Sequence, residues 1–282
     1  MMPRRAATAS TASRAAMAQA AGQAAAPWRW ALAGALLGLV GALCVWAPAQ
    51  WLAHAVTLAS HDHVQLQDAR GTVWQGSAQL VLTGGAGSRD AQALPGRIAW
   101  TLQPLSAQAQ LTLRSDCCMP SPLQMRMAPT ADGVRLSLSD TPSVWPAALL
   151  SGLGAPWNTL RPEGDLALAP QQLSAQWQRA GWRMQGRLLV TARDMASRLS
   201  PLKPIGTYEV AIAAGDALSD PVTLQLRTVS GSLLLSGQGQ WAGQRLRFQG
   251  EASAAPAHEA ALNNLLSIIG RRQGARSLLS WG

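Results

Sequence analysis

From residue 60 onward, apolar and polar residues alternate with a period of two. The runs are Gln65–Trp74, Ser77–Thr83, Gly96–Gln103, Ala107–Arg114, Pro122–Ala128, Gly133–Ser139, Gly164–Ala169, Gln171–Gln178, Trp182–Ala192, Gly206–Ala213, Val222–Thr228, Ser232–Gln240 and Arg245–Ala252. Gly, Pro or Asp stands at the breaks, as at Pro104 and Asp132-Gly133. Short alternating runs bounded by such residues are half-buried strands. The chain is therefore predicted to be mainly β, with one large twisted antiparallel sheet. Ser277–Trp281 would add a last strand, and Gly84–Gln92 reads as a long hairpin tip.

Two stretches leave the alternation and predict two short helices. One is Val144–Leu153. The other is Pro256–Ile269, where Ala261, Leu262, Leu265, Leu266 and Ile269 share a face at helical spacing. Pro256 suits its first turn, Gly270 its C-terminal cap, and Arg271-Arg272 the negative end of its dipole.

The first part of the chain has a different pattern. Residues 30–53 carry no charge, a length sufficient for a single transmembrane helix, for which about 20 residues are needed. Trp28 and Trp30 at one end, and Trp46 and Trp51 at the other, are placed as membrane-interface anchors. Residues 1–29 hold Arg4, Arg5, Arg14 and Arg29 and no acid, and read as a disordered cytoplasmic tail. Arginines before the span and His61-Asp62-His63 after it orient the N-terminus inward. Residues 60–282 then form a periplasmic β-rich domain of a bacterial inner-membrane protein. The competing reading is a cleaved signal peptide ending at Ala53-His54-Ala55. Both put the domain outside the cytoplasm.

Composition narrows this picture. Charged residues are 13% of the chain and apolar residues 48%, so the wet faces of the strands are polar but mostly uncharged. The net charge is +9, and Lys203 is the only lysine. The arginines are spread singly, with no dense run, and a single Phe and a single Tyr leave little for base stacking. A nucleic-acid partner is excluded on this pattern. The chain is rich in Trp, with 12. Trp74, Trp100, Trp177, Trp182 and Trp241 lie in strand runs; core packing accounts for most of them, and an exposed subset would mark a contact face.

The search for chemistry is nearly empty. His61 and His63 alternate and would begin a metal site only with further ligands, which nothing nearby supplies. No metal and no cofactor are expected. Glu163 and Asp165 sit two apart on one strand face; a turn-flanking solvated pair is the reading preferred over paired catalytic carboxylates. No G-x-S-x-G motif and no phosphate-cradling Gly loop occur. Cys44 lies in the apolar span and packs as a small apolar residue. Cys117-Cys118 are adjacent, and a vicinal disulfide is possible outside the cytoplasm. A structural bridge, a redox-labile bond and free thiols are the three options, the first preferred.

The order of segments resembles the general secretion pathway protein N family of the type II secretion system. The passages that carry the resemblance are Arg70–Trp74 with Gly76–Ala78 (RGTVW, GSA), Trp100–Pro104, Trp145–Leu168, Pro201–Tyr208, Gly237–Gly250 and Glu259–Gly274. The resemblance covers roughly residues 30–282, and none of these passages is catalytic. The resemblance implies a single-pass inner-membrane subunit of the machine that exports folded proteins across the outer membrane. The expected function is that of a non-enzymatic accessory subunit. It would act by periplasmic protein contacts with other secretion subunits, either the inner-membrane platform or secretin-linking components. The alternative is a lipid-contacting periplasmic protein of the AsmA-like kind, for which a continuous uncovered apolar groove would be the mark.

Overall fold

The computed structural model describes residues 28–178, 181–214, 221–242 and 245–282. The chain divides into two units, Met1–Ala47 and Pro48–Gly282. The predicted tail lies outside the described residues except for Trp28 and Arg29. Those two open helix α1, Trp28–Val45. The side chain of Cys44 is also outside the described set.

The predicted single helix over 30–53 is replaced by two. Helix α2, Ala49–Ala59, is separate from α1 and begins after Pro48, whose backbone is extended (φ −63°, ψ 143°). Proline lacks the N–H that a continuing helix needs, and it disfavours helical geometry in the residue before it. Helix α2 belongs to the second unit: Ala49 is buried and Leu52 packs with Ala78 and Trp100 of the sheet. Trp51 and Ala53 are thus residues of a domain helix. Among the described residues no helix is long and apolar enough to cross a membrane.

The second unit is built on a 16-stranded sheet. Its strands are β1 (Val64–Gly71), β2 (Gln75–Thr83), β3 (Ala91–Ala93), β4 (Ile98–Leu105), β5 (Gln108–Ser115), β6 (Leu123–Thr130), β7 (Gly133–Leu138) and β8 (Ser143–Pro146). After them come β9 (Pro162–Gln178), β10 (Gly181–Ser197), β11 (Gly206–Ala213), β12 (Thr223–Gly231), β13 (Leu233–Ala242), β14 (Arg245–Ala254), β15 (Arg271–Gln273) and β16 (Arg276–Trp281). Neighbours along the main path are antiparallel and nearly sequential, with β3 added beside β2 and β8 beside β9. The mainly β antiparallel prediction holds.

Several boundaries differ, each for a physical reason. The two runs predicted on either side of Pro170 are one strand of 17 residues, β9. Strand β8 pairs with Asp165–Leu168 and β7 with Ser174–Gln178. Pro170 falls between them, where its missing N–H costs no ladder bond. Opposite, Gly186 has φ +87° at a bulge, and a Cβ there would lie 2.3 Å from the Gln172 carbonyl oxygen. Only glycine fits. Val144 and Trp145, predicted helical, belong to β8, and a 3-10 helix covers only Ala147–Leu153. A short helix, α3 (Trp157–Leu160), follows. The C-terminal prediction is met by α4 (Glu259–Ile269), preceded by a 3-10 turn over Pro256–His258. Gly270 is extended, so the chain passes directly into β15, and Arg271-Arg272 are strand residues.

Register turns the alternation into two faces. Leu168, Val190, Val210, Leu226, Gly237, Gly250 and Leu279 are successive cross-strand neighbours. One residue along, the row reads Ala167, Thr191, Glu209, Arg227, Ser236, Glu251 and Leu278. In the other half, Ala109, Met127, Leu136, Ala175 and Met184 continue the apolar face. A one-residue slip would invert both faces, which is what holds the register. The glycines of the apolar face have a use: Gly237 and Gly250 leave room for the ring of Phe248.

Three buried clusters cover parts of this face. Helix α4 packs Leu262, Leu265 and Leu266 onto Ile205, Tyr208, Leu233 and Ala252. The 3-10 helix contributes Leu149 to a cluster with Leu94, Ile98 and Cys118. Helix α2 completes the third, with Ala78 and Trp100.

Candidate functional site

The antiparallel order puts alternate connections on the same edge of the sheet. The β1–β2, β4–β5, β6–β7, β9–β10, β11–β12 and β13–β14 turns lie on one edge, together with the end of β16. The remaining connections, carrying the 3-10 helices, α3 and α4, lie on the opposite edge. Burial follows this division. Ala252, Tyr208 and Leu233, toward the helical edge, are buried, while Val210, Leu226, Met125 and Leu136 are only half-buried. Over β6–β14 the apolar face is therefore covered along the helical edge and partly open toward the turns, while over β1–β5 helix α2 covers it from the turn edge.

Tryptophans line the turn edge. Trp74 stands in the β1–β2 turn, Trp177 pairs across β9–β10 with Trp182, Trp241 is at the end of β13, and Trp281 ends β16. Trp74 is 37% exposed, Trp177 51% and Trp281 60%. Two of the strand tryptophans, Trp74 and Trp177, are exposed and do not pack in the core. Of the five strand-run residues, Trp100 is buried, Trp241 is half-buried and the Trp182 side chain lies outside the described residues; the Trp100 indole donates to the Val73 carbonyl at 3.1 Å. That contact gives the RGTVW and GSA passages a shape. Thr72 and Gln75 close the turn, and Gly76 admits the Trp100 ring, which a Cβ would meet at 2.6 Å. The first residue of this unit, Pro48, bridges to Thr72 and so lies at the turn edge.

The predicted chemical candidates resolve as follows. His61 and Asp62 have positive φ and form a tight turn between α2 and β1, so the two histidines are not on a strand face. The His63 ring lies 3.2 Å from the Thr83 carbonyl. Among the described residues no group of three or more His, Cys, Asp and Glu is placed to hold a metal ion. Glu163 is paired with Lys203 at 2.8 Å, and that hydrogen bond holds its carboxyl below the ordinary range. Asp165 lies further along β9, opposite Arg193. Cys117 and Cys118 are disulfide-bonded in the turn after β5. Cys118 is buried with Ile98 and Leu149, its carbonyl accepts from the Val144 amide at 2.8 Å, and Cys117 is exposed.

The helical edge also holds a polar cleft of about 510 Å³, lined by residues that include Arg89, Asp90, Asn158, Arg161, Glu163 and Arg198. Its residues come from the β2–β3 loop and β3, the 3-10 helix, α3, the start of β9 and the residue after β10, and no sequence spacing links them.

The comparison with known proteins adds a decisive observation. The model of the family described as type II secretion system (T2SS), protein N, matches residues 62–278. The chain belongs to this family. The match begins at the turn before β1 and ends within β16, so the protein N family region is nearly the whole sheet with its helical edge. No curated protein matches the chain, and no solved structure does. As a protein N family member the chain is a component of type II secretion, in agreement with the resemblance read from its segments.

Proposed function

We propose that the chain is a non-enzymatic accessory subunit of the type II secretion system, anchored in the inner membrane, with its sheet in the periplasm making contacts to other secretion subunits. The observation that carries this reading is the family match over the whole sheet. The described side chains add to it, since they offer a broad two-faced surface. Anchoring is supported by α1, where Trp28, Trp30, Leu36, Leu37, Leu39 and Val40 are all more than half exposed. The arginines before α1 argue for a cytoplasmic N-terminus, and an adjacent cysteine pair in a disulfide fits an oxidising compartment.

The test is in cells. Photocrosslinking residues placed on the polar face, at Gln225 or Gln249, are expected to capture platform or secretin-linking subunits, and deletion is expected to lower exoprotein release. Normal release after deletion, with no secretion subunit captured, would reject the reading.

A second reading, lipid contact along the apolar face, is favoured by one observation: that face is half-open toward the Trp-bearing turn edge. Indoles suit a rim between apolar chains and water. Lipid retained by the purified chain and displaced by Val210→Asp would support it; a lipid-free purified chain would not.

A further inference from the structure

The cleft at the helical edge is assembled by two hydrogen bonds between distant segments. Asn158 Nδ2 donates to Asp90 Oδ2 at 2.9 Å, tying the β2–β3 loop to α3. Ser197 Oγ donates to the Leu160 carbonyl at 2.6 Å, tying α3 to the end of β10. Arg161 and Arg198 directly follow the two residues of that second bond, and Arg89 precedes Asp90. The two ties therefore carry three guanidinium groups to one mouth.

The carboxylates of the lining are already engaged. Asp90 accepts from Asn158, and Glu163 is ion-paired with Lys203, just outside the cleft. Arg89, Arg161 and Arg198 are exposed, and among the described residues none of their side chains makes a hydrogen bond or an ion pair. Arg198 acts on Glu163 only as a minor through-space contribution. A cleft whose acids serve its walls and whose three forks are unmatched has the chemistry of a carboxylate receptor. A guanidinium pairs bidentately with a carboxylate, and three around one opening select a run of acids over a single one.

Pro48, where the N-terminal segment joins the unit, is at the turn edge beside Thr72, whereas the cleft is at the opposite edge. Strand β1, with eight residues, separates those edges by about 26 Å. Carboxylates repeated at short spacing belong to an acidic polypeptide segment, which matches three guanidinium groups around one opening. We propose that this cleft binds an acidic segment of a partner protein, with Arg89, Arg161 and Arg198 as its carboxylate-binding residues.

The experiment uses the purified full chain in neutral-detergent micelles and a fluorescent oligoglutamate peptide, with oligoglutamine as control. Oligoglutamate is expected to bind and oligoglutamine not. The combined variant Arg89→Gln, Arg161→Gln, Arg198→Gln is expected to weaken binding about tenfold or more. The matched variant on the polar sheet face, Arg114→Gln, Arg126→Gln, Arg135→Gln, is expected to stay within about twofold. Equal losses in the two variants would reduce the effect to net charge and overturn the proposal. A photocrosslinker at Ala91, in the cleft lining, is expected to capture the peptide, and one at Gln249 on the polar face is not. This arm needs no arginine change, so it stands even if the triple variant folds poorly. Phosphatidylglycerol vesicles or inorganic phosphate binding through the same arginines, with oligoglutamate silent, would overturn the assignment to protein. Peptide binding at the cleft in a chain dispensable for secretion would reject the functional reading alone; loss of secretion with no peptide binding would reject the cleft alone.

Discussion

The Tyr208 hydroxyl on β11 donates to the Leu233 carbonyl on β13 at 3.1 Å, reaching past the end of the intervening strand β12. The ring is 7% exposed and packs in the cluster under α4. Burial pushes the phenol well above its ordinary 10.0. The neutral form is favoured in the folded chain, so its contribution is complete below the unfolded value near 10 and is lost as pH rises beyond it. Stability is expected to fall by about 1.4 kcal/mol per pH unit above pH 10 from this group. Tyr208→Phe should cost about 1 kcal/mol at pH 7 and flatten that alkaline slope, read from denaturant midpoints at several pH values.

Helix α4 holds its edge through three leucines. Leu262 is fully buried and Leu266 is 1% exposed. Leu262→Ala or Leu266→Ala is expected to cost about 2–5 kcal/mol, because the sheet beneath cannot collapse into the gap. Exposed Ile268→Ala on the same helix should cost well under 1 kcal/mol. Equal losses at the buried and exposed positions, measured by urea unfolding, would contradict the packing described.

Asp68 marks the acid-sensitive point of the first hairpin. It has φ +49° at the β1 bulge and accepts from Arg70 and from Arg97, which also binds the Asp68 and Ser77 carbonyls. Those hydrogen bonds, from Arg70 first and Arg97 next, hold its carboxyl below the ordinary 3.8. A lowered folded value means the contribution is present above pH 3.8 and is lost as pH falls through the folded value. Arg70→Gln and Arg97→Gln are each expected to raise the Asp68 titration midpoint toward 3.8, observable by carbon NMR of the carboxyl.

The cysteine pair should respond unequally to serine. Both single changes remove the disulfide, but Cys118 is 2% exposed among apolar residues and Cys117 is exposed. Cys118→Ser is expected to be less stable than Cys117→Ser by about 1–3 kcal/mol, the cost of burying a hydroxyl there. Alkylation before and after reduction, followed by peptide mass analysis, should label Cys117 and Cys118 only after reduction.

Much of the sheet was legible because a period of two leaves no choice about which side chains share a face. The runs around Leu111, Met125 and Val210 became strands at nearly the positions predicted, and α4 appeared where Leu262, Leu265 and Leu266 recur at helical spacing. Boundaries failed where pairing partners decided them. Pro170 reads as a strand break until β7 and β8 are seen to share β9 on either side of it. Val144 and Trp145 read as helical because apolar runs are ambiguous until a neighbour, here Leu166–Ala167, supplies a ladder. Trp177 and Trp74 read as core because apolar strand residues usually are, while their exposure depends on which edge the turns occupy.

The primary structure by itself determined the mainly β class, the apolar N-terminal stretch, the family and the alternation of faces. These are local patterns, or an order of segments, and need no knowledge of distant contacts. Tertiary structure alone decided that Pro48 separates α1 from a helix of the domain, that several tryptophans gather on one edge, and that Arg89, Arg161 and Arg198 line one cleft. Those outcomes depend on strand order and on hydrogen bonds between residues as far apart in the chain as Asp90 and Asn158, whose nearness no local pattern encodes.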